Sequence, residues 1–293
     1  MNMSVQQMHR VAAEVRRLAN KTSQVKVANQ AGVSTAVISQ IVNNKWATIS
    51  SDMFRAIEVN LKLDFSWKSA EIKNYQILYL LLSNAQNNGI SIAISEQAGR
   101  GKTHTYRKYM NDNDNVIHLE CANSWSKKSY LKHLLAAAGM SQQGTTEDMV
   151  ERFVKKLKTM NRPLIIIDQF DKLRDSQMDL FMDFYNELDG YCGFVLSGVR
   201  ALEKRVMNGV NRDKIGYAEL YSRIGRKFIR LEPVSKPDVK RICVANGILE
   251  PDLIDYIYGN SDGDLRRVKR DIEIYQQKNA VNLEVTDHEE VVA

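Results

Sequence analysis

Residues able to do chemistry concentrate first in the stretch Glu96-Gln-Ala-Gly-Arg-Gly-Lys-Thr103. Gly99 and Gly101 let the backbone turn its N–H groups inward around an anion. Lys102 supplies a point charge to β- and γ-phosphate oxygens, and the Thr103 hydroxyl is a ligand for Mg²⁺. Arg100 and His104 flank these groups and complete the expected nucleotide contacts. The usual pattern is Gly, four residues, then Gly-Lys-Ser or Gly-Lys-Thr, and here Glu96 holds the first position. The Gly-x-Gly-Lys-Thr core survives, so the loop reads as a cradle for ATP; a Gly-rich loop that holds no nucleotide is the bland alternative. A second locus is Leu164-Ile-Ile-Ile-Asp168-Gln169. Asp168 would hold the Mg²⁺ through water. A Glu usually follows that Asp and polarises the attacking water, but an amide at Gln169 cannot accept a proton. ATP should therefore bind and turn over slowly. A natural loss of turnover and a deliberate replacement that traps the ATP-bound state both account for Gln169, and the intact remainder favours the second.

The elements that must position these groups surround them. Residues 90–94 are a short, mostly apolar run followed by Ser95, which reads as a buried strand. With helical residues 104–109 after the loop, the order strand, Gly-rich loop, helix is complete, and the helix N-terminus adds attraction for the anion. The four apolar residues before Asp168 follow a turn-like Asn161-Arg162-Pro163 and describe a central parallel strand. Such a strand presents its last residue at the carboxyl edge, where open α/β sheets bind ligands. Residues 117–121 and 194–196 supply two further strands, giving at least four, with helices at 129–138 and 147–157. Pro233 and Pro237 bracket a linker, and residues 238–277 carry the helical pattern of a small lid. The reading is an α/β P-loop core at 67–235, a lid at 236–280 and an acidic tail at 281–293.

Ahead of the core, residues 24–46 read QVKVANQAGVSTAVISQIVNNKW. Val27, Ala28, Ala31, Val33, Ile38 and Ile41 suit two short helices packed on each other. Gly32 falls between them, where a tight turn needs positive φ, and Ser34 is a natural N-cap for the second helix. The order Ala28, Gly32, Ile38 is similar to the helix-turn-helix signature of phage repressors. In that arrangement Ser34, Thr35, Ala36, Ser39 and Gln40 begin a recognition helix facing base edges, and Lys45, after Asn43 and Asn44, meets phosphate. A small helical bundle used for docking is the competing reading of residues 1–66. The recognition surface is poor in Arg, which predicts weak sequence preference.

Net charge is +6, and residues 284–293 carry four acids and no Lys or Arg, so the rest of the chain stands at +10. That excess favours a polyanionic partner, double-stranded DNA first. The basic pairs Arg107-Lys108, Lys127-Lys128, Lys155-Lys156 and Lys204-Arg205 are candidates for its backbone, although most such pairs are solvated surface. Apolar runs are too short to cross a bilayer, the N-terminus lacks the order of a signal peptide, and the three cysteines form no metal or redox pattern. These features point to a cytoplasmic protein with no membrane partner.

Taken together, the helix-turn-helix, the P-loop, Ile166 to Leu173, Tyr221-Ser-Arg-Ile224 and Gly263-Asp-Leu-Arg266 resemble the MuB-like AAA+ ATPases of DNA transposition. The likeness runs nearly end to end. It implies that Arg223 is an arginine finger reaching a neighbouring subunit's γ-phosphate, a task suited to guanidinium. It implies that Arg266 couples the lid to nucleotide. A polar first-sensor residue is expected beside Gly198, where Val199 stands, with Ser197 or Arg200 as substitutes. The resemblance further implies a helical filament on DNA and delivery of that DNA to a transposase. A helicase loader and an ATP-switched helix-turn-helix regulator share much of this pattern and remain alternatives.

Overall fold

The computed structural model describes residues 3–65 and 67–290, with side chains as far as Lys278. Four helices come first: α1 (Val5–Lys21), α2 (Gln24–Ala31), α3 (Thr35–Val42) and α4 (Ser51–Asn60). Each begins after a serine, Ser4, Ser23, Ser34 or Ser50, whose hydroxyl accepts a backbone N–H from the first turn. Serine suits this place because the helix start leaves N–H groups without intrahelical partners. Gly32 takes φ 66° between α2 and α3, as the turn requires. Val11, Val15, Val27, Ile38, Ile41 and Phe54 form the core of the bundle.

The next elements are α5 (Lys73–Asn88), β1 (Ser91–Ser95), α6 (Lys102–Asp112), β2 (Val116–Glu120), α7 (Lys127–Ala137), α8 (Thr146–Leu157) and β3 (Leu164–Asp168). A 3-10 turn at Phe170–Lys172 leads to α9 (Asp175–Leu188), β4 (Gly193–Gly198), α10 (Ala201–Asn211), α11 (Tyr217–Arg223) and β5 (Phe228–Ile229). The five strands form one parallel sheet in the order β2-β3-β4-β1-β5. β3 and β4 are buried along their whole length, as expected of parallel strands covered on both faces. Phe153 meets Phe184 and Phe181 meets Phe194 edge-on, with centroids 5.2 and 5.5 Å apart, in the layer under the sheet. The fold is an α/β P-loop NTPase core with surrounding helices. Five strands agree with the expectation of at least four; β5 was not itself read, because its two residues are too few to show a period.

Three helices close the chain: α12 (Lys236–Ala245), α13 (Pro251–Ser261) and α14 (Leu265–Glu290). Pro237 lies in the first turn of α12 rather than in a linker, because that turn needs no N–H from it. The segment expected as an acidic tail is helical as far as Glu290, and residues 291–293 lie outside those described.

The chain divides into two compact units, one holding 1–64, 80–95 and 106–229, the other 65–79, 96–105 and 230–293. The phosphate-loop segment therefore groups with the lid helices, which the expected boundaries at 66/67 and 235/236 do not anticipate. In the first unit the N-terminal bundle packs on the sheet domain through α2 against α7. Lys62 pairs with Glu120 at 2.7 Å, and Lys26 Nζ donates to the Val116 carbonyl at 3.3 Å. In the second unit Val234, Val239, Ile242, Ile254, Ile257 and Val268 form the core.

Candidate nucleotide site and candidate nucleic-acid interface

The loop between β1 and α6 turns through Gly99 at φ 78° and Gly101 at φ 86°. Both angles lie in the left-handed region that costs other residues about 1–2 kcal/mol. Lys102 is buried, and its Nζ donates to the carbonyls of Glu96 at 2.7 Å and Gln97 at 2.8 Å. Glu96 takes the position usually held by glycine; its carboxylate folds back to accept the Gln97 N–H at 2.7 Å. Thr103 is half-buried and His104 exposed, one residue apart at the start of α6.

The lid closes on this loop within the second unit. Leu265 N–H donates to the Gly99 carbonyl at 2.9 Å, and Arg100 donates to the Gly263 carbonyl at 3.0 Å and to Gln97 Oε1 at 2.7 Å. Arg266 is tied to Asp264 by Nε–Oδ1 at 3.1 Å and a second bond at 2.9 Å. Burial alone would raise the Asp264 carboxyl, but its bonds to Arg266 outweigh that and hold it below the usual range. Arg266 is thus beside the loop but committed to its own carboxylate.

The sheet of the first unit carries the candidate acid. Asp168 ends β3 almost wholly buried, and its Oδ1 accepts the Gln169 N–H at 2.9 Å. Gln169 takes φ 57° and receives a hydrogen bond from Lys172 on its Oε1. His118 Nε2 lies 4.0 Å from Asp168 Oδ2. Ser197, a substitute for the first sensor, accepts the Tyr106 hydroxyl at 2.9 Å in a fully enclosed pair. Burial, with the Asp168 charge, pushes that phenol well above its ordinary value. Val199 is exposed, and its N–H is taken by Asp171 at 3.2 Å. Sequence reasoning passed over His118 and Tyr106 because a lone polar residue in a strand or helix pattern carries no motif.

The donor set fits a triphosphate: inward-turning backbone, an ammonium group and a helix start. The described residues hold no group of three His, Cys, Asp or Glu that could cage a metal. The Thr103 hydroxyl at the start of α6 suits an Mg²⁺ brought by phosphate, since that ion keeps most of its waters.

Arg223 ends α11, 3.5 Å from Glu219 Oε1, with its guanidinium 4.9 Å from the centre of the Tyr185 ring. Thr35, Ala36, Gln40 and Lys45 are exposed along α3 and just after it. Ser34 caps the helix, and Ser39 is half-buried and bonded by Asn43 at 2.9 Å. Lys127 and Lys128 open α7, capped by Ser126. Lys204, Arg205, Asn208, Arg212 and Lys214 line a cleft of about 380 Å³ with Asp175. There Arg205 and Lys214 are spent on Asp175.

Residues 86–206 match the family model described as AAA domain. The match spans β1, the phosphate loop, β3 and β4, and it supports an AAA-type P-loop ATPase domain in this part of the chain. No curated protein matches the chain. Among the described residues no helix is long and apolar enough to cross a membrane.

Proposed function

We propose that this chain is an ATP-dependent, largely sequence-independent DNA-binding protein that oligomerises on target DNA and delivers it to a transposase. The AAA-type domain implies a nucleotide-dependent ATPase; the DNA and transposase assignments are the finer reading. One observation supports them above the rest: the N-terminal helical bundle, read here as a helix-turn-helix, packs directly on the sheet domain that carries Asp168, through α2–α7 and the Lys62–Glu120 pair. A DNA-reading element so joined to the ATPase body would move with it.

In this reading the backbone around Gly99 and Gly101 binds the phosphates, Lys102 neutralises them, and Thr103 and Asp168 hold the Mg²⁺. When bound, that ion offsets the charge that develops on the transferring phosphoryl group. Gln169 orients water without removing its proton, so turnover is slow. Arg223 serves a neighbouring copy's nucleotide, and Arg266 exchanges Asp264 for phosphate. Ser34, Thr35, Ser39 and Gln40 meet the groove, while Lys45, Lys127 and Lys128 meet its phosphates.

The test is duplex binding with and without ATP, read by affinity and by particle shape in the electron microscope. The expected outcome is cooperative, ATP-dependent assembly that coats DNA broadly and is lost in Lys102→Ala. Monomers only, with ATP and DNA both present, would count against it. Protection of one defined site would instead favour a regulator, and co-purification with a ring helicase a loader.

A further inference from the structure

The fold divides the basic pair Lys204-Arg205 between two tasks. Both residues line the cleft beside α10, within the first unit. Arg205 belongs to its wall. It donates to the Leu173 carbonyl, to the Tyr217 hydroxyl at 3.1 Å and to Asp175. Tyr217 in turn donates to Asp175 Oδ1 at 2.7 Å, and Lys214 pairs with Oδ2. These donors, Lys214 foremost, hold the Asp175 carboxyl well below its usual range, so it stays charged and keeps them in place. The Tyr217 ring lies against Gly209, where an added Cβ would fall 2.3 Å from it. A bare backbone at Gly209 thus lets α11 close on α10 and fix the wall.

Lys204 belongs to the open side. It precedes Asn208 by four residues and Arg212 by eight, a spacing that sets all three on one face of α10. All three are exposed and line the cleft. Neither Lys204 nor Arg212 makes an ion pair among the described residues. Asp175 is the one acid among the lining residues, and it is already met by Arg205 and Lys214. Four cations against one carboxylate leave the cleft positive, which favours a polyanion. At 1.5 Å per residue, Lys204 and Arg212 start about 12 Å apart along the helix. That separation suits repeated charges on an extended polymer better than one small ion. Each DNA strand presents a phosphate about every 3.4 Å of axis, so both ends of the face can find one.

We propose that Lys204, Asn208 and Arg212 form a phosphate-binding face for the backbone of double-stranded DNA, beyond the contacts assigned to α3 and α7; this rests on the DNA reading above. Lys204 and Arg212 each neutralise a phosphate, and the Asn208 amide donates to a phosphate oxygen between them. Contacts of this kind carry no sequence information. The face therefore adds affinity on any duplex.

The experiment measures affinity of the full chain, with ATP, for a labelled duplex over about 50–200 mM salt. Lys204→Ala and Arg212→Ala should each flatten the plot of log affinity against log salt by about 1 per protomer, alike on duplexes of unrelated sequence. Lys204→Arg keeps the charge and should retain the parent slope. Lys240→Ala removes an exposed lysine from α12 and should leave the slope as it is. An unchanged slope in the double variant Lys204→Ala, Arg212→Ala overturns the proposal. So does an equal flattening in Lys240→Ala, which marks a loss of general charge. Sedimentation without DNA closes the other route: alanine variants that assemble less than the parent would put a second copy on this face, and overturn the proposal too. A parent chain that binds no duplex, with or without ATP, overturns the DNA reading itself, a separate result that takes this proposal with it.

Discussion

Asp264 packs so closely on Gly99 that a Cβ added to the glycine would fall 2.0 Å from the carboxylate Oδ1. The lid and the phosphate loop therefore share a contact that only a bare backbone permits. Leu265, the next residue, reinforces it by donating to the Gly99 carbonyl. A lid joined to the loop in this way can register whether phosphate is bound.

The contact makes the two loop glycines unequal under substitution. Both have positive φ, but a Cβ at Gly101 would meet only Leu265 Cδ1, at an ordinary 3.4 Å. Gly101→Ala should cost the strain of its backbone alone, about 1–2 kcal/mol. Gly99→Ala adds a collision with Asp264 and should weaken ATP binding at least tenfold more than Gly101→Ala. Calorimetric ATP titration of both variants, with melting curves alongside, checks the order. Equal affinities would show that the Asp264 contact does not govern the loop.

Gln169 invites the opposite kind of change. Gln169→Glu places a proton acceptor at the end of β3, next to Lys172, which already donates to the side-chain oxygen. General-base catalysis contributes about 10²–10⁴-fold, so phosphate release should rise by about two orders of magnitude while ATP affinity stays within a few-fold. Negligible turnover in the variant would mean that the site lacks more than this base.

Arg223 is expected to act on another copy. In the isolated chain it rests against Tyr185 and Glu219, contacts that a neighbour's phosphate would have to displace. Arg223→Ala should leave ATP affinity of the monomer unchanged and abolish any stimulation by assembly in the Gln169→Glu background. Arginine fingers are worth about 10³–10⁵ in rate, so even a partial effect is readable. Mixing chains that carry both Gln169→Glu and Arg223→Ala with the parent supplies the sharper check. The parent assembles and brings Arg223, the variant brings the base, and a mixture that turns over no faster than the separate chains would refute action between copies.

What was legible in the sequence follows from how far each signal reaches along the chain. Gly99 to Thr103 and Leu164 to Asp168 are contiguous, and their strand and helix neighbours have clear periods, so loop, acid and parallel sheet were all readable. Gly32 and Ser34 were readable because turn and cap chemistry is local. β5 was not, because Phe228–Ile229 draws its stability from pairing with Ala93 and Ile94, more than 130 positions away. The same holds for the lid on the loop: Asp264 and Gly99 meet only once the chain has folded. His118 escaped because alternation marks it as one polar residue in a strand. Only the register against β3 brings it to Asp168.

Lys26 offers a measurement of how the N-terminal bundle is seated. It lies on α2 at the junction with the sheet domain, its Nζ donating to the Val116 carbonyl and its Cβ near Gly139. Burial, assisted by Lys21, brings its pKa down from 10.5 to about 8. The sign follows from linkage. Between pH 8 and 10.5 the unfolded chain holds this proton and the folded chain does not, so stability rises with pH across that window. Below pH 8 the folded protein carries the full cost of a poorly solvated ammonium, on the order of 1–3 kcal/mol after allowance for its partial exposure. Lys26→Met keeps the length of the chain and removes the charge. It should raise stability at pH 7 and flatten the rise between pH 8 and 10.5, as read by urea denaturation at a series of pH values. A variant less stable at pH 7 would show instead that the bond to Val116 outweighs the desolvation of the ammonium.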